Sequence, residues 1–415
     1  MTASDYFLLI TPKVLAGRGP STHVALPGAS AVAQKRFGSY SFTAPPPLRA
    51  GRRITISAIR QPSKTDDDPI TPVYRLPIDN PSAWKPTDFA SPADYTIELT
   101  ASQLRDVEHA IARVKAAGLG LDDLGREHFE LPSLGAVIDE IRRQIKKGRG
   151  FVVVRRLPVE AYSKDDLGMI FWGIGTHLGY GLSQSVLGDR LGHVKDFSRE
   201  DPLARAYRNK QELSPHTDSA DLVGLFCLRD AQSGGVSRLT SAPGVHNVLR
   251  DEYPAVLERL YRGYSFHRRG EEQPGELPYT PYRVPVYSNT EGNVSARYVR
   301  TYVEAGEAAA GRPMDDTELA VLDRFEEVTK RPDLMLEFTL RPGEMYFINN
   351  YTILHARTAF DDGDAEEDQR RHLLRLWLEV PGMRPVHPHI RKNGIAAVPG
   401  RTPSYDWSRL TNNRN

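Results

Sequence analysis

From residue 193 to 380 the chain is written in short strand-like runs separated by tight-turn residues, and this punctuation restricts the fold more than any other feature. The runs fall at 193–197, 222–228, 237–240, 264–267, 297–303, 335–340, 345–348 and 373–380. Ser233-Gly234-Gly235, Pro274-Gly275 and Arg341-Pro342-Gly343-Glu344 supply turns between them. Runs this short and this frequent build a β-sandwich or barrel. Helical spacing near 252–262 and 316–329 interleaves helices with them. The expected fold class is therefore α+β: a double-stranded β-helix (jelly-roll) core with flanking helices.

The part before residue 193 reads differently. Leu104, Val107, Ile111 and Val114 recur at helical spacing, and Gly118 ends the run. A second helix follows Pro132, with Leu134, Val137, Ile138, Ile141 and Ile145 on one face. Phe151-Val152-Val153-Val154 is too short for a helix and reads as a buried strand. Ser163 with Asp166 three residues on marks another helix start. Three segments are thus expected: an extension over 1–90, a domain over 91–382, and an irregular tail over 383–415. His387-Pro388-His389 in that tail has metal-like spacing, but its proline-rich context points to solvent exposure.

Composition sets outer limits. A net charge near +1 gives no field that would draw nucleic acid or a membrane surface as partner. No apolar stretch is long enough to span a bilayer. Cys227, alone in its type, sits in an apolar run and reads as a small core residue rather than a nucleophile. These features fit the cytoplasm. Between Tyr6 and Thr65 no acidic residue occurs among many arginines, lysines and serines, a composition that also fits a mitochondrial targeting segment. Nothing in the composition fixes an oligomeric state.

The chemistry concentrates in His216-Thr217-Asp218 and the remote His355. Residues two apart on an extended chain project to one side, so His216 and Asp218 can reach one ion. Two imidazoles and one carboxylate are the set that holds non-haem Fe(II) and leaves positions open for co-substrate and O2. A structural zinc site would use four protein ligands, commonly thiolates, and one cysteine cannot supply them. A bare His-x-Asp is a weak motif, and context decides it. Over 371–378 the chain alternates, placing Arg371, Leu373, Arg375 and Trp377 on one face. Arginines on an apolar strand are costly to bury unless they meet anions, and a guanidinium–carboxylate fork is the natural partner. The competing reading sets both arginines against solvent or structural carboxylates. Ser237, after two glycines, can offer a hydroxyl to the same anion.

The set His216-x-Asp218, Gly234-Gly235-x-Ser237, Asn349-Asn350 before His355-x-Arg357, and Arg371-x3-Arg375 resembles the taurine dioxygenase/TfdA-like family of Fe(II)/2-oxoglutarate dioxygenases, clavaminate-synthase-like members included. The resemblance runs from about residue 150 to 381. It implies that His216, Asp218 and His355 bind the iron and that Arg371 holds the distal carboxylate of 2-oxoglutarate. Ser237 stands where the family has a threonine and keeps its hydroxyl. Arg375 matches a sulfonate-holding position and is expected, with Arg357 and Tyr207, on the substrate side. The implied reaction consumes O2 and 2-oxoglutarate, releases succinate and CO2, and oxidises, normally hydroxylates, an unactivated C–H of a small, anionic substrate. Two other readings stay open here: a non-catalytic jelly-roll binding protein, and a metal-dependent hydrolase or isomerase on the same triad.

Overall fold

The computed structural model describes residues 69–197, 209–391 and 394–397, all within the unit Lys64–Asn415. The acid-poor segment before residue 69 and Tyr207 lie outside the described residues.

Elements follow in chain order. The first part holds β1 (Thr96–Glu98), α1 (Ala101–Ala116), α2 (Gly135–Lys147), β2 (Phe151–Arg155) and α3 (Lys164–Thr176). Then come β3 (Tyr180–Gly181), β4 (Leu191–Val194), β5 (Leu213–His216), β6 (Leu222–Arg229), β7 (Ser233–Gly234) and β8 (Ser237–Ser241). A mainly helical stretch carries α4 (Ala242–Glu252), α5 (Pro254–Arg262), β9 (Tyr287–Thr290), β10 (Asn293–Ala296), α6 (Arg300–Ala309) and α7 (Asp316–Thr329). The chain returns through β11 (Met335–Phe338), β12 (Met345–Asn349), β13 (Ile353–Arg357), β14 (Phe360–Asp361) and β15 (His372–Glu379).

Two sheets form the expected double-stranded β-helix. The larger runs β1-β2-β12-β6-β15-β3, with β4 also paired to β15. The smaller runs β11-β8-β13-β5. Phe151, Val153, Val223, Tyr346, Ile348, Leu373 and Trp377 from the larger sheet meet Leu239 and Ile353 from the smaller in one buried cluster. Period-two alternation does the rest: Leu374, Leu376 and Leu378 of β15 face the other way, into the layer of α1, α2 and α3. Gly175 of α3 is required there, since a Cβ would lie 2.7 Å from Leu376 Cδ1. A second helical layer, α4 to α7, packs Tyr261, Tyr287, Tyr298 and Phe325 around the β9–β10 hairpin.

Local signals account for the helix ends. Thr100 and Gln103 bond reciprocally across the first turn of α1, and Gly118, at φ +67°, takes the left-handed position after its end. The Ser163 hydroxyl accepts from Asp166 N at 3.1 Å to open α3.

Some expectations fail. Of the run 297–303, expected as a strand, 297–299 are irregular and 300–303 open α6. Val303, Gly306 and Glu307 are its buried positions, a helical spacing, and Glu307 accepts from Ser265 N at 2.6 Å. Tertiary packing thus overrides the β-branched and aromatic local preference. The run 264–267 makes only isolated bridges, Tyr264 to Val284 and His267 to Tyr279. Strand β13 and the β9–β10 hairpin were not foreseen, although Glu291-Gly292, both at positive φ, form the two-residue turn that such a hairpin needs. The proline-rich stretch before Pro92 is irregular yet bound down: Trp84 is buried and donates Nε1–H to Arg149 O at 2.8 Å. His387 and His389 are half-buried rather than exposed, with Tyr282 stacked on His389. Cys227 is buried as expected, and burial pushes its thiol up to about 12. No helix among the described residues is long and apolar enough to cross a membrane.

One buried group yields a pH prediction. His246 of α4 is fully buried against Tyr261 and Tyr287, and burial, reinforced by Arg250, lowers its imidazole to about 3. An unfolded chain takes up a proton below the ordinary histidine value that the folded chain refuses down to about pH 3. The contribution is therefore complete at neutral pH and is lost on acidification, by about 1.4 kcal/mol per pH unit within that window. His246→Gln is expected to lower Tm at pH 7 and to flatten its fall between pH 6 and 4; an unchanged slope in chemical denaturation would refute the assignment.

Candidate metal centre

His216 closes β5, and Asp218 lies two residues beyond it. His355 is centred in β13 and pairs directly with His216 across the smaller sheet. This register brings the remote histidine alongside: the two rings are 4.2 Å apart, and the candidate ligand atoms of His216, Asp218 and His355 lie within 4.8 Å of one another. No other such cluster of three occurs among the described residues.

Each ligand is oriented by a neighbour. His216 Nδ1 is 2.9 Å from Ser214 O, so it carries the proton and leaves Nε2 for an ion. Burial, with His355 adding in the same direction, pushes the His216 imidazole down to about 4, which keeps it neutral. His355 presents Nε2 at 3.6 Å from Asp218 Oδ2, and its Nδ1 is buried with no partner, so no protein group competes strongly for the ring. Burial pushes the Asp218 carboxyl up, but Arg375 and the two imidazoles override this and hold it far below the ordinary range. Trp377 donates Nε1–H to Asp218 Oδ2 at 2.9 Å, and Arg375 Nη1 stands 3.5 Å from the same oxygen.

The Asp218 backbone is clasped as well. Its N–H donates to Asn350 Oδ1 at 2.8 Å, while Asn350 Nδ2 returns a bond to Asp218 O at 2.7 Å. Arg297 donates to Asp218 O and to Ser219 Oγ. These residues carried no role at the sequence level. Trp377 had a usable signal, its place on the Arg371 and Arg375 face of β15; Arg297, in a misread segment, had none.

The arginines separate into two groups. Arg371 is 4% exposed, and among the described residues its Nη1 has no partner and it makes no ion pair. Burial lowers its pKa. Gly235, at φ +68°, lets it pass: a Cβ there would sit 3.0 Å from Arg371 Nε. Arg357, expected with Arg375 on the substrate side, lies beside Arg371. Both guanidinium groups rest against the Phe360 ring, at 4.7 and 4.8 Å. Arg357 bonds the carbonyls of Asn209 and Gln211, and its Nη1 is also buried without a partner. Burial and the Arg371 charge push its pKa down to about 9, so it stays charged at neutral pH. Ser237, buried, pairs with Arg357 across β8 and β13.

Arg375 belongs to the second group. It bonds Gln184 Oε1 at 2.8 Å, stacks on Trp377 and leans on Asp218. With His216, Asp218, Arg297 and Trp377 it lines a cavity of about 290 Å³. Arg357 and Arg371 do not line it. Buried Tyr346 feels the charges of Asp218, Arg371 and Arg375 together, which sets all three around one interior. The donor set fits a divalent ion of the Fe(II) type: two imidazoles, one ionised carboxylate and an open side.

Comparison with known proteins agrees with this geometry. Residues 115–377 match the taurine catabolism dioxygenase TauD, TfdA family. The chain is 30% identical over 317 residues to FR-33289 synthase of Streptomyces rubellomurinus, covering 75% of this chain and 93% of that protein. It is 28% identical over 328 residues to the taurine hydroxylase-like protein SAT17 of Stachybotrys chartarum, covering 74% and 83%. Among solved structures, asparagine oxygenase with Fe(II), 2S,3S-3-hydroxyasparagine and succinate superposes with a TM-score of 0.54 at 17% identity, covering 73% of this chain and 99% of that one. The non-haem iron oxygenase OrfP with Fe and alpha-ketoglutaric acid gives 0.52 at 14%, covering 72% and 100%. At such identities these two speak for the fold. By its match over most of its length, the chain belongs to the taurine catabolism dioxygenase TauD, TfdA family and is an Fe(II)- and 2-oxoglutarate-dependent oxidoreductase.

Proposed function

We propose that His216, Asp218 and His355 hold the Fe(II), that Arg371 and Arg357 with Ser237 hold 2-oxoglutarate, and that the cavity beside Trp377 takes a small organic substrate for hydroxylation at a C–H. The observation that carries this is the pairing of a convergent His/Asp/His cluster with a buried guanidinium, Arg371, that has no counter-ion among the described residues. Bound iron and keto acid supply the oxidising power: 2-oxoglutarate and O2 go to succinate and CO2, and one oxygen atom enters the substrate.

The residues of the chain bind, orient and exclude water. A buried cation without an anion is costly, and a dicarboxylate ligand relieves that cost at Arg371 and Arg357 together. The two arginines repel each other across Phe360 when the pocket is empty, so an anion gains from both. Trp377 and Arg375 fix the Asp218 carboxylate in rotation, and Asn350 fixes its backbone, so that one oxygen is presented to the ion in a set direction. Their hydrogen bonds also occupy lone pairs that would otherwise recruit water. Arg375 spends contacts on Asp218 and Gln184, which gives it a supporting part as well as a place in the substrate wall.

Two measurements test this. In anaerobic titration with Fe(II) and then 2-oxoglutarate, wild type is expected to develop the weak visible metal-to-ligand charge-transfer band. His216→Ala is expected to lose it, and Arg371→Gln to need roughly tenfold more 2-oxoglutarate or beyond, the worth of one charge-assisted fork. Wild type that binds iron yet never gives the band would defeat the reading. Separately, Trp377→Phe keeps the ring in the core but removes the donor to Asp218. Its Fe(II) dissociation constant is expected to rise about 10- to 100-fold, the usual effect of losing a partner of a ligand; an unchanged constant in calorimetry would show that Trp377 only packs.

A further inference from the structure

On the face of β15 turned away from the metal lies a cavity of about 520 Å³ that the oxidation leaves unused. Four elements meet around it: the start of α3 with Lys164, the residue just past β4, Lys195, the end of β6 with Arg229, and the start of β15 with His372. His372 is 8% exposed, and its Nε2 is 2.9 Å from Nδ1 of His193 on the adjacent β4. Its own Nδ1 has no partner among the described residues yet is not sealed in, so it faces the cavity that the ring lines. An imidazole paired through one nitrogen keeps the other for a ligand.

The charges around that ring have one sign. Burial first, then His193, Lys195, Lys164 and Arg229, push the His372 imidazole well below the usual histidine range. The charged groups that act on it most strongly are thus all cations. Lys195 is itself buried, with Glu367 at 3.7 Å. Lys164, Arg229 and Arg370 line the same cavity and have no carboxylate within ion-pair distance among the described residues. Arg229 donates to the Gln369 side chain and Arg370 to the Ala365 carbonyl, both neutral acceptors. Nearby acids are spent elsewhere: Asp230 pairs with Arg341, and Glu344 with Arg155. Glu160, Glu367 and Asp368 do line the cavity, but all three are exposed. The deep part is therefore cationic and the rim acidic.

We propose that this cavity binds a phosphate group, held by His372 Nδ1–H, Lys195, Arg229 and Lys164. A phosphate brings close to two negative charges at neutral pH and several strong acceptor oxygens, which suits three cations and one neutral donor better than a single carboxylate does. The ligand selects the tautomer in which His193 Nδ1–H donates to His372 Nε2, leaving His372 Nδ1–H for the anion. The cavity is larger than one phosphate needs, and its acidic rim suits hydroxyl or ammonium groups on a phosphate monoester. The site is independent of iron and of 2-oxoglutarate: Arg371 precedes His372 in the chain, but its guanidinium lies on Phe360, outside this cavity.

The test uses the full metal-free chain, with calorimetry and the shift in Tm as readouts. The probes are inorganic phosphate, glycerol 3-phosphate, 2-aminoethyl phosphate, and sodium chloride at matched ionic strength. Saturable binding and a raised Tm are expected with the phosphates and not with chloride. Esters that bind tenfold or more tightly than inorganic phosphate would name a phosphorylated metabolite as the ligand; equal affinities would name free phosphate. Lys164→Gln and Arg229→Gln are each expected to weaken binding about tenfold, the worth of one charge-assisted contact. Lys164 is exposed, so its replacement leaves the fold intact, and Lys147→Gln, outside the cavity, is the control expected to change nothing. No saturable phosphate binding by wild type overturns the proposal. So does binding that is unmoved in Lys164→Gln and Arg229→Gln but lost in Arg371→Gln or displaced by 2-oxoglutarate, since the phosphate would then occupy the keto-acid pocket.

Discussion

Asp218 is where the two sheets are tied together at the site. Its chain comes from the smaller sheet, just past β5, but its carboxylate is held by Trp377 and Arg375 of β15 in the larger one. Its peptide group is gripped by Asn350, at the end of β12, and by Arg297, ahead of α6. Four separate pieces of chain therefore agree on the place of one carboxylate. A metal site needs its donors fixed to within a fraction of an ångström, and side chains reach that only when their neighbours are themselves locked. The His216 and His355 positions follow more simply, from adjacent positions in one β-ladder.

Buried arginine is the second theme. Arg297, Arg357, Arg371 and Arg375 are each about 5% exposed, and among the described residues only Arg375 has an ion pair, with Asp218. A core assembled for stability alone would hardly gather four such groups, because desolvation of a charge opposes folding unless an anion arrives. The arrangement is comprehensible as a site made for anionic ligands: the fold carries the electrostatic cost so that binding can relieve it.

Much of this was legible in the sequence, and the boundary between what was and was not has physical reasons. Alternation in β15 placed Arg375 and Trp377 on one face, because period two needs only an extended backbone. The spacing of His216 and Asp218 likewise needs only an extended backbone. Strand β13 was missed, although it carries His355, since its short run Ile353-Leu354-His355-Ala356-Arg357 is buried on both faces and so lacks the apolar-in, polar-out contrast of a half-buried strand. A bulge between His355 and Arg357 shifts the pairing of β13 with β5, and Arg357 packs with Arg371 on Phe360; a bulge leaves no trace in residue type. The start of α6 was misread because Val299, Tyr302 and Val303 favour strands, while the contacts that make the helix, Glu307 to Ser265 and Gly306 against Ser265, reach across more than thirty residues of chain.

The two faces of β15 belong to different worlds. Arg375 and Trp377 address the metal, while Leu374, Leu376 and Leu378 lock into the helical layer beneath, where Gly175 leaves room for Leu376 and little else. A strand cannot translate one face without the other. The helices under the sheet thus act as a gauge block for the iron centre, and their packing sets its tolerance from a distance. The wall formed by Arg297 and the entry to α6 is seated on a different helical layer altogether. Because Arg297 of that wall also grips the Asp218 peptide, the iron centre is gauged from both sides of the sandwich, and remodelling either layer would reach it.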